Sequence, residues 1–537
     1  MMAVTGAAIS SYDTPGRRAA RHVRVESTRQ PSDGHGRPLP VAGVFSIERT
    51  GQEATRLIPS YQIDLIQDGH RLLPAFFLAQ QDFVTYAWDA GELAALAWVR
   101  DNGLPMCFIT TQFERVFYEA ARYSGAAFAN NPIVYDLEQV RDAFLVDPLG
   151  PLTAWTSLGA DWHGLSSIVD EGIETLYPNP PHVIIYSNNE GGRHYWVNAN
   201  DSYRYDALYG QGSTEDQKRK RYGDGWSERY TEFFDAFRGQ CAAGWDDVRF
   251  VGYNAGALSY IGRWSGWPYE GSSLHSGTGE TFRLDWNHEA WDGASPQDYL
   301  DHFRVISDFQ MYSVQVEAQN NKAAIDEAQA TDPDYWNEVI VWDGYQAAST
   351  PNKREWWATL DPPQTFTPTR YGGLVQFCMW LSRPRVVREF RNTDDTQEDV
   401  GFDWFATVVA AVDVVHTNPT LRRFWRHGTI VLNPAQSHPF ATDIPSDIEA
   451  LDRWWMLTAD VNDAQPWTLA QEIKVFAIAH VIGSAPTRQW LVYAHSPRQA
   501  RTGVVITVPG YGNITVDVAV AGSFYVVDEA TETVTAA

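Results

Sequence analysis

Long apolar runs are missing from this chain of 537 residues. No stretch approaches the roughly 18 consecutive apolar residues that cross a bilayer, so no membrane partner is expected. Cysteine is scarce: Cys107, Cys241 and Cys378 are far apart, odd in number and without the CxxC spacing of a zinc or redox site, so each reads as a small apolar core residue. Positive charge is short as well. With 67 acidic against 41 basic residues and a formal net charge of -26, the chain repels phosphate backbones and is not expected to bind nucleic acid. The N-terminus lacks the apolar core of a signal peptide, which leaves a soluble chain, cytoplasmic or exported with its signal removed.

Several chemical signatures are absent too. There is no GxxxxGK[ST] phosphate loop, no GxGxxG dinucleotide turn, no GxSxG nucleophile elbow and no HExxH pair, so no cofactor and no metal are expected. What is present is aromatic surface: 13% of the residues, 22 of them Trp. Such rings offer flat apolar faces with a polar edge, suited to the C–H faces of sugars, and a carbohydrate is the expected partner.

The length suggests two folded units. Residues 1–42, rich in Arg, Ser, Gly and Pro, read as a flexible arm. From 43 to 395 short apolar runs alternate with helical text, a βα rhythm that predicts an α/β fold, a (β/α)8 TIM barrel. The clearest strands are Leu73 to Leu78, Met106 to Thr110, His182 to Tyr186, Val248 to Tyr253, Gln310 to Val316, Val339 to Trp342 and Leu374 to Met379, with an eighth near Val44 or Ile63. Helices are predicted over Ala90 to Arg100, Leu165 to Leu176, Glu228 to Cys241 and Pro296 to Ile306. Residues 396–537 read as a helical connection, Asp403 to Val415 and Thr420 to Arg426, then a C-terminal antiparallel β-sandwich. Its strand runs are split by Pro509-Gly510-Tyr511-Gly512 and by Ala521-Gly522.

In such a barrel reactive groups lie at the C-terminal ends of strands. One run continues into Ser187-Asn188-Asn189-Glu190, another into Glu317. Two strand-end carboxyls suit cleavage of a glycosidic bond, one protonating the leaving oxygen and the other attacking the anomeric carbon. The alternatives for the second carboxyl are Asp343, which follows Val339 to Trp342, and Glu338, which precedes it.

The pair Asn189-Glu190 resembles the Asn-Glu that ends the fourth strand in clan A glycoside hydrolases. That resemblance implies Glu190 as acid/base, Asn189 on the sugar 2-hydroxyl, a nucleophile at the end of the seventh strand, matched here by Glu317 on the sixth or seventh strand by count, and Trp380 as the aromatic platform under the sugar. It covers about residues 43 to 395, and within the clan the layout is most similar to agarase- and porphyranase-type enzymes, which act on galactans.

Further binding residues are expected in loops. The segment after Tyr253 is dense in rings, among them Trp264, Trp267, Trp286 and His288, and is expected to wall the cleft; Trp162, His163 and His194 sit where loops would cap the barrel. With Asn188, Tyr253 and Trp342, these complete the expected site. The resulting expectation is a retaining glycoside hydrolase acting on a β-linked poly- or oligosaccharide. The alternative is a non-catalytic carbohydrate-binding or receptor-binding barrel.

Overall fold

The computed structural model describes residues 23–26, 46–49, 73–79, 106–109, 133–136, 183–188, 231, 234, 235, 238, 249–253, 291–299, 313–342, 357–392, 402–436, 454–462 and 473–537. Helix and strand are mixed in the first part, and several antiparallel sheets make up the last. Two short strands come first, β1 (Val23–Glu26) and β2 (Ser46–Arg49), paired antiparallel. The segment expected to be an arm therefore contributes a strand, and the strand expected near Val44 pairs with it rather than with the larger sheet.

The larger sheet is parallel. In chain order it holds β3 (Leu73–Ala79), β4 (Met106–Ile109), β5 (Ile133–Asp136), β6 (Val183–Asn188), β7 (Arg249–Tyr253), β8 (Gly293–Ser295), β9 (Gln297–Tyr299), β10 (Trp336–Trp342) and β11 (Val386–Asn392). Runs such as LPAFFLA and VIIY are apolar on both faces, as parallel strands covered on both sides require. Each of β3 to β7 pairs with the next, β8 pairs with β10, β10 with β11, and β11 with β3. The pairings thus return to their start. Followed from partner to partner, Ala79 leads to Ile109, Asp136, Tyr186, Val251, Gly293 and Trp336, then by the same registers to the level of residue 384 and of residue 71. The circuit ends eight residues lower in β3 than it began.

β8 and β9 form one continuous edge against β10, because Gly293 faces Trp336 and Gln297 faces Ile340 with a constant offset. Pro296 between them has no N–H to give, but its carbonyl accepts from Ile340 N at 2.9 Å. This strand replaces the start of the helix expected from Pro296. At its first residue a Cβ would stand 2.4 Å from Trp336 Cβ, so only glycine lets the two strands approach this closely.

Two stretches expected as strands are helices. Gln310 to Val316 gives way to α1 (Ser313–Thr331), where Gln315, Ala318, Gln319, Lys322, Ile325 and Ala328 form a buried stripe at helical spacing, with Asn321 and Ala323 buried beside it. Leu374 to Met379 lies inside α2 (Pro368–Ser382), buried from Gly373 to Ser382, so its apolar run carries no period. Its ends do carry signals: Thr367 Oγ1 accepts from Arg370 N at 3.3 Å, Pro368 opens the first turn, and Arg383 closes it at φ 46°. The two expected helices that follow are present as α3 (Phe402–Thr417) and α4 (Pro419–His427), the latter capped by Asn418, whose Oδ1 accepts from Thr420 N and Leu421 N. α3 packs on α2, β11 and β3. Of the expected helix Glu228 to Cys241, Thr231, Phe234, Asp235 and Arg238 are helical. The helices expected at Ala90 to Arg100 and Leu165 to Leu176 lie outside the described residues.

The remaining strands are β12 (Thr429–Ile430), β13 (Thr458–Ala459), β14 (Phe476–Ile482), β15 (Gln489–His495), β16 (Arg501–Val508), β17 (Gly512–Val518), β18 (Ser523–Asp528) and β19 (Thr533–Ala536). They form two antiparallel sheets, β12-β14-β15-β18-β19 and β13-β16-β17. Between them lies a core of Ala477, Ala479, Trp490, Val492 and Val527 from one sheet and Val504, Ile506, Ile514, Val516 and Val518 from the other. Pro509-Gly510-Tyr511-Gly512 joins β16 to β17 as a hairpin, with φ 83° at Gly510. Ala521-Gly522 does not make a hairpin: it carries the chain from β17 in one sheet to β18 in the other.

Candidate functional site

The ends of the parallel strands bring the expected residues to one edge in part. β6 ends at Asn188, in register with Tyr253 at the end of β7, and β9 ends at Tyr299, in register with Trp342 at the end of β10. Asn189 and Glu190 follow β6 directly, and Asp343 follows β10 directly; all three lie outside the described residues. Counted along the chain from β3, with β8 and β9 as one strand, β6 is the fourth and β10 the seventh. Trp342 is half-buried.

Asn337 fixes which face of β10 is which. Its Nδ2 donates to Ser382 O at the end of α2 at 2.7 Å, so this position faces the helix layer. The pleat then turns Trp336, Glu338, Ile340 and Trp342 to the opposite face. Glu338 lies within the strand rather than before it, entirely buried, and accepts from Trp336 Nε1 at 2.8 Å. It belongs to the start of β10, away from the strand's C-terminal end, and the understudy role given to it is corrected on that ground.

Glu317 is the larger correction. It sits in the second turn of α1, between the sixth and seventh strands, and not at a strand end. Its assignment as nucleophile rested on a strand that the Ala- and Gln-rich continuation of the segment turns into helix. Trp380 is corrected as well. It is a wholly buried residue of α2 whose Nε1 donates to Gln376 Oε1 at 3.0 Å and whose ring meets Trp425, His480 and Phe524 edge-on. A ring with no exposed face offers no platform for a sugar.

Trp162, His163, His194, Trp264, Trp267, Trp286 and His288 lie outside the described residues. The structure also brings forward residues that sequence reasoning passed over. Asp136 ends β5 as a further strand-end carboxylate, and Tyr299 ends β9. The signal available for Asp136 was a run, Ile133-Val134-Tyr135, ending in a carboxylate, but a strand of four residues is too short to show a period. Among the described residues no cluster of three or more His, Cys, Asp or Glu could hold a metal, and no helix is long and apolar enough to cross a membrane.

Among solved structures the chain is similar to endo-glycoceramidase II from Rhodococcus sp., a glycoside hydrolase determined in complex with a cellobiose-like imidazole. The identity is 11%, over 86% of this chain and 100% of that one, with a TM-score of 0.33. It is also similar to a conserved exported protein from Bacteroides fragilis, at 8% identity over 86% of this chain and 98% of that one, TM-score 0.34. Neither is described as an agarase or porphyranase. No family model and no curated protein matches the chain.

Proposed function

We propose that the chain is a retaining glycoside hydrolase on a (β/α)8 barrel with a C-terminal β-sandwich, in which Glu190 is the acid/base and Asp343 the nucleophile. Support for the barrel comes from the parallel pairings that return to β3 with a displacement of eight residues over eight strands, the shear of that fold. One observation carries the catalytic pair. A displacement of eight over eight strands means that one residue of height is lost at each step between neighbours. Asn188 leads through Tyr253 and Ser295 to the level of Glu338; restoring three residues for three steps puts Asn188 at the height of Val341. Glu190 follows Asn188 by two residues, as Asp343 follows Val341 by two. Both residues thus stand the same number of positions past one level of the ring, following strand C-terminal ends, where reactive groups gather; Asp343 comes after the last residue of β10, so the pleat that turns Val341 to the helix layer does not set its face.

The mechanism uses Asp343 as the carboxylate and Glu190 as the carboxylic acid, the division of roles that two carboxyls facing one site adopt. The Asp343 carboxylate attacks the anomeric carbon, the glycosidic C–O bond breaks, and Glu190 gives its proton to the departing oxygen. Glu190 then takes a proton from water, whose oxygen displaces Asp343 and releases the sugar with retained configuration. Asn188 and Asn189 hold hydroxyls. Trp342 takes the platform role vacated by Trp380. The substrate is a β-linked poly- or oligosaccharide.

Reducing-end release from a panel of β-linked polysaccharides, algal galactans included, tests the reading. Glu190→Gln and Asp343→Asn are expected to lose about a hundredfold or more, while Glu317→Gln keeps activity. Release that survives Asp343→Asn, or disappears with Glu317→Gln in a folded protein, contradicts the assignment. A folded wild type that releases nothing from any substrate favours a binding protein.

A further inference from the structure

The five-stranded sheet meets α2 through an apolar seam that contains two histidines. Its inner face belongs to the sandwich core, so Phe476, Ile478 and His480 of β14 and Leu491, Tyr493 and His495 of β15 face outward, and all are buried. α2 lies directly on them. At Gly373 a Cβ would stand 2.5 Å from Val520 O and 2.9 Å from His495 Nδ1, so the helix rests on the sheet there with no side chain between. Tyr493 Oη donates to Gly373 O at 2.7 Å, and Phe377 stacks on His495 with ring centroids 5.8 Å apart.

The two imidazoles are poorly provided for as cations. His495 is 0% exposed and neither ring nitrogen has a hydrogen-bond partner. His480 Nε2 lies 2.8 Å from Trp380 O, which fixes it as the protonated nitrogen of the neutral ring, and its Nδ1 has no partner. The titratable and charged groups that bear on the seam are Arg383 at the end of α2, Lys322 on α1, Cys378 on α2 and Tyr493 on β15. Among the described residues no carboxylate is among those acting on either ring.

We propose that this seam is an acid-released joint: protonation of His480 and His495 undocks the five-stranded sheet from α2. A proton arriving on either ring in the docked state makes a buried cation with no counter-charge among the described residues, beside Arg383 and Lys322 in the case of His480. Undocked, the same ring takes its proton in water. Burial accordingly holds His495 down to about 3, and burial with Arg383 holds His480 well below the usual histidine range. Both folded values are lowered, so the docked state is fully favoured above the free histidine pKa of about 6.5 and loses ground as pH falls below it. Each ring contributes about tenfold in the docking equilibrium per pH unit, and the two together about a hundredfold. The joint bears on the proposed site because α2 also packs on β10, the strand that precedes Asp343. Its test uses no activity readout, so it stands or falls apart from the glycosidase reading.

Hydrogen exchange of the intact chain, corrected for the intrinsic pH dependence of the rate, is read at β14–β15 and at β16–β17 between pH 6.5 and 4.5. The expected result is a rise in opening at β14–β15 of about a hundredfold per pH unit, with β16–β17 lagging behind. His495→Phe, which fits among Phe377, Phe476 and Tyr493, and His480→Gln, which keeps a donor for Trp380 O, should each cut the slope to about tenfold. Protection at β14–β15 that does not change over this range overturns the proposal, as does equal opening of both regions or an unaltered slope in the two variants. Should a variant fail to fold, the wild-type comparison of the two regions decides.

Discussion

The two sheets of the C-terminal region share one core and differ in what covers their other faces. β14 and β15 are buried on both sides, between the sandwich core and α2, and their sequences FAIAHVI and QWLVYAH run apolar almost without a break. β16 and β17 alternate instead, Val504, Ile506 and Val508 inward with Thr507 outward, and Ile514, Val516 and Val518 inward with Asn513, Thr515 and Asp517 outward. The difference shows that alternation in a sequence counts covered faces. A strand with one covered face displays its period, and an element with two conceals whether it is strand or helix at all.

Substitutions on the two sheets sharpen this contrast. The largest effect is expected for Trp380→Ala, which empties the centre of the seam and should cost about 3–5 kcal/mol in urea unfolding. Tyr493→Phe removes the buried hydroxyl bond from the sheet to Gly373 O and should cost about 1.5 kcal/mol. Asn418→Ala, at the cap of the helix that packs beside β14, is expected to cost about 1 kcal/mol. Smallest of all is Thr507→Ala on the open face of the three-stranded sheet, within about 0.5 kcal/mol, its hydroxyl's bond to Asn513 being exposed to water. A Thr507→Ala loss as large as that of Tyr493→Phe would break the comparison.

The same rule explains what the sequence could and could not disclose. β3, β4, β6, β7 and the end of β10 were legible because each is an apolar run stopped by polar residues. α2 was misread because burial all round erases the helical period, leaving only Thr367-Pro368 as a signal in the sequence. α1 was misread for the opposite reason: Ser313-Val314-Gln315-Val316 alternates like a strand for four residues before Ala and Gln take over. β11 escaped notice because Arg388, Glu389 and Arg391 interrupt its apolar residues. Of the proposed site, the two candidates were legible: Glu190 from the residues that end β6, and Asp343 from its place after β10. Their relation to each other was not, since height around a ring is set by registers that no local pattern encodes.

The measurement that tests the central claim most directly is the distance between the Glu190 and Asp343 carboxyl groups in an experimental structure. The account predicts about 5–5.5 Å, the separation of a retaining pair. A separation well beyond about 9.5 Å, or a Glu317 carboxylate facing Glu190 across the ring in place of Asp343, would contradict it.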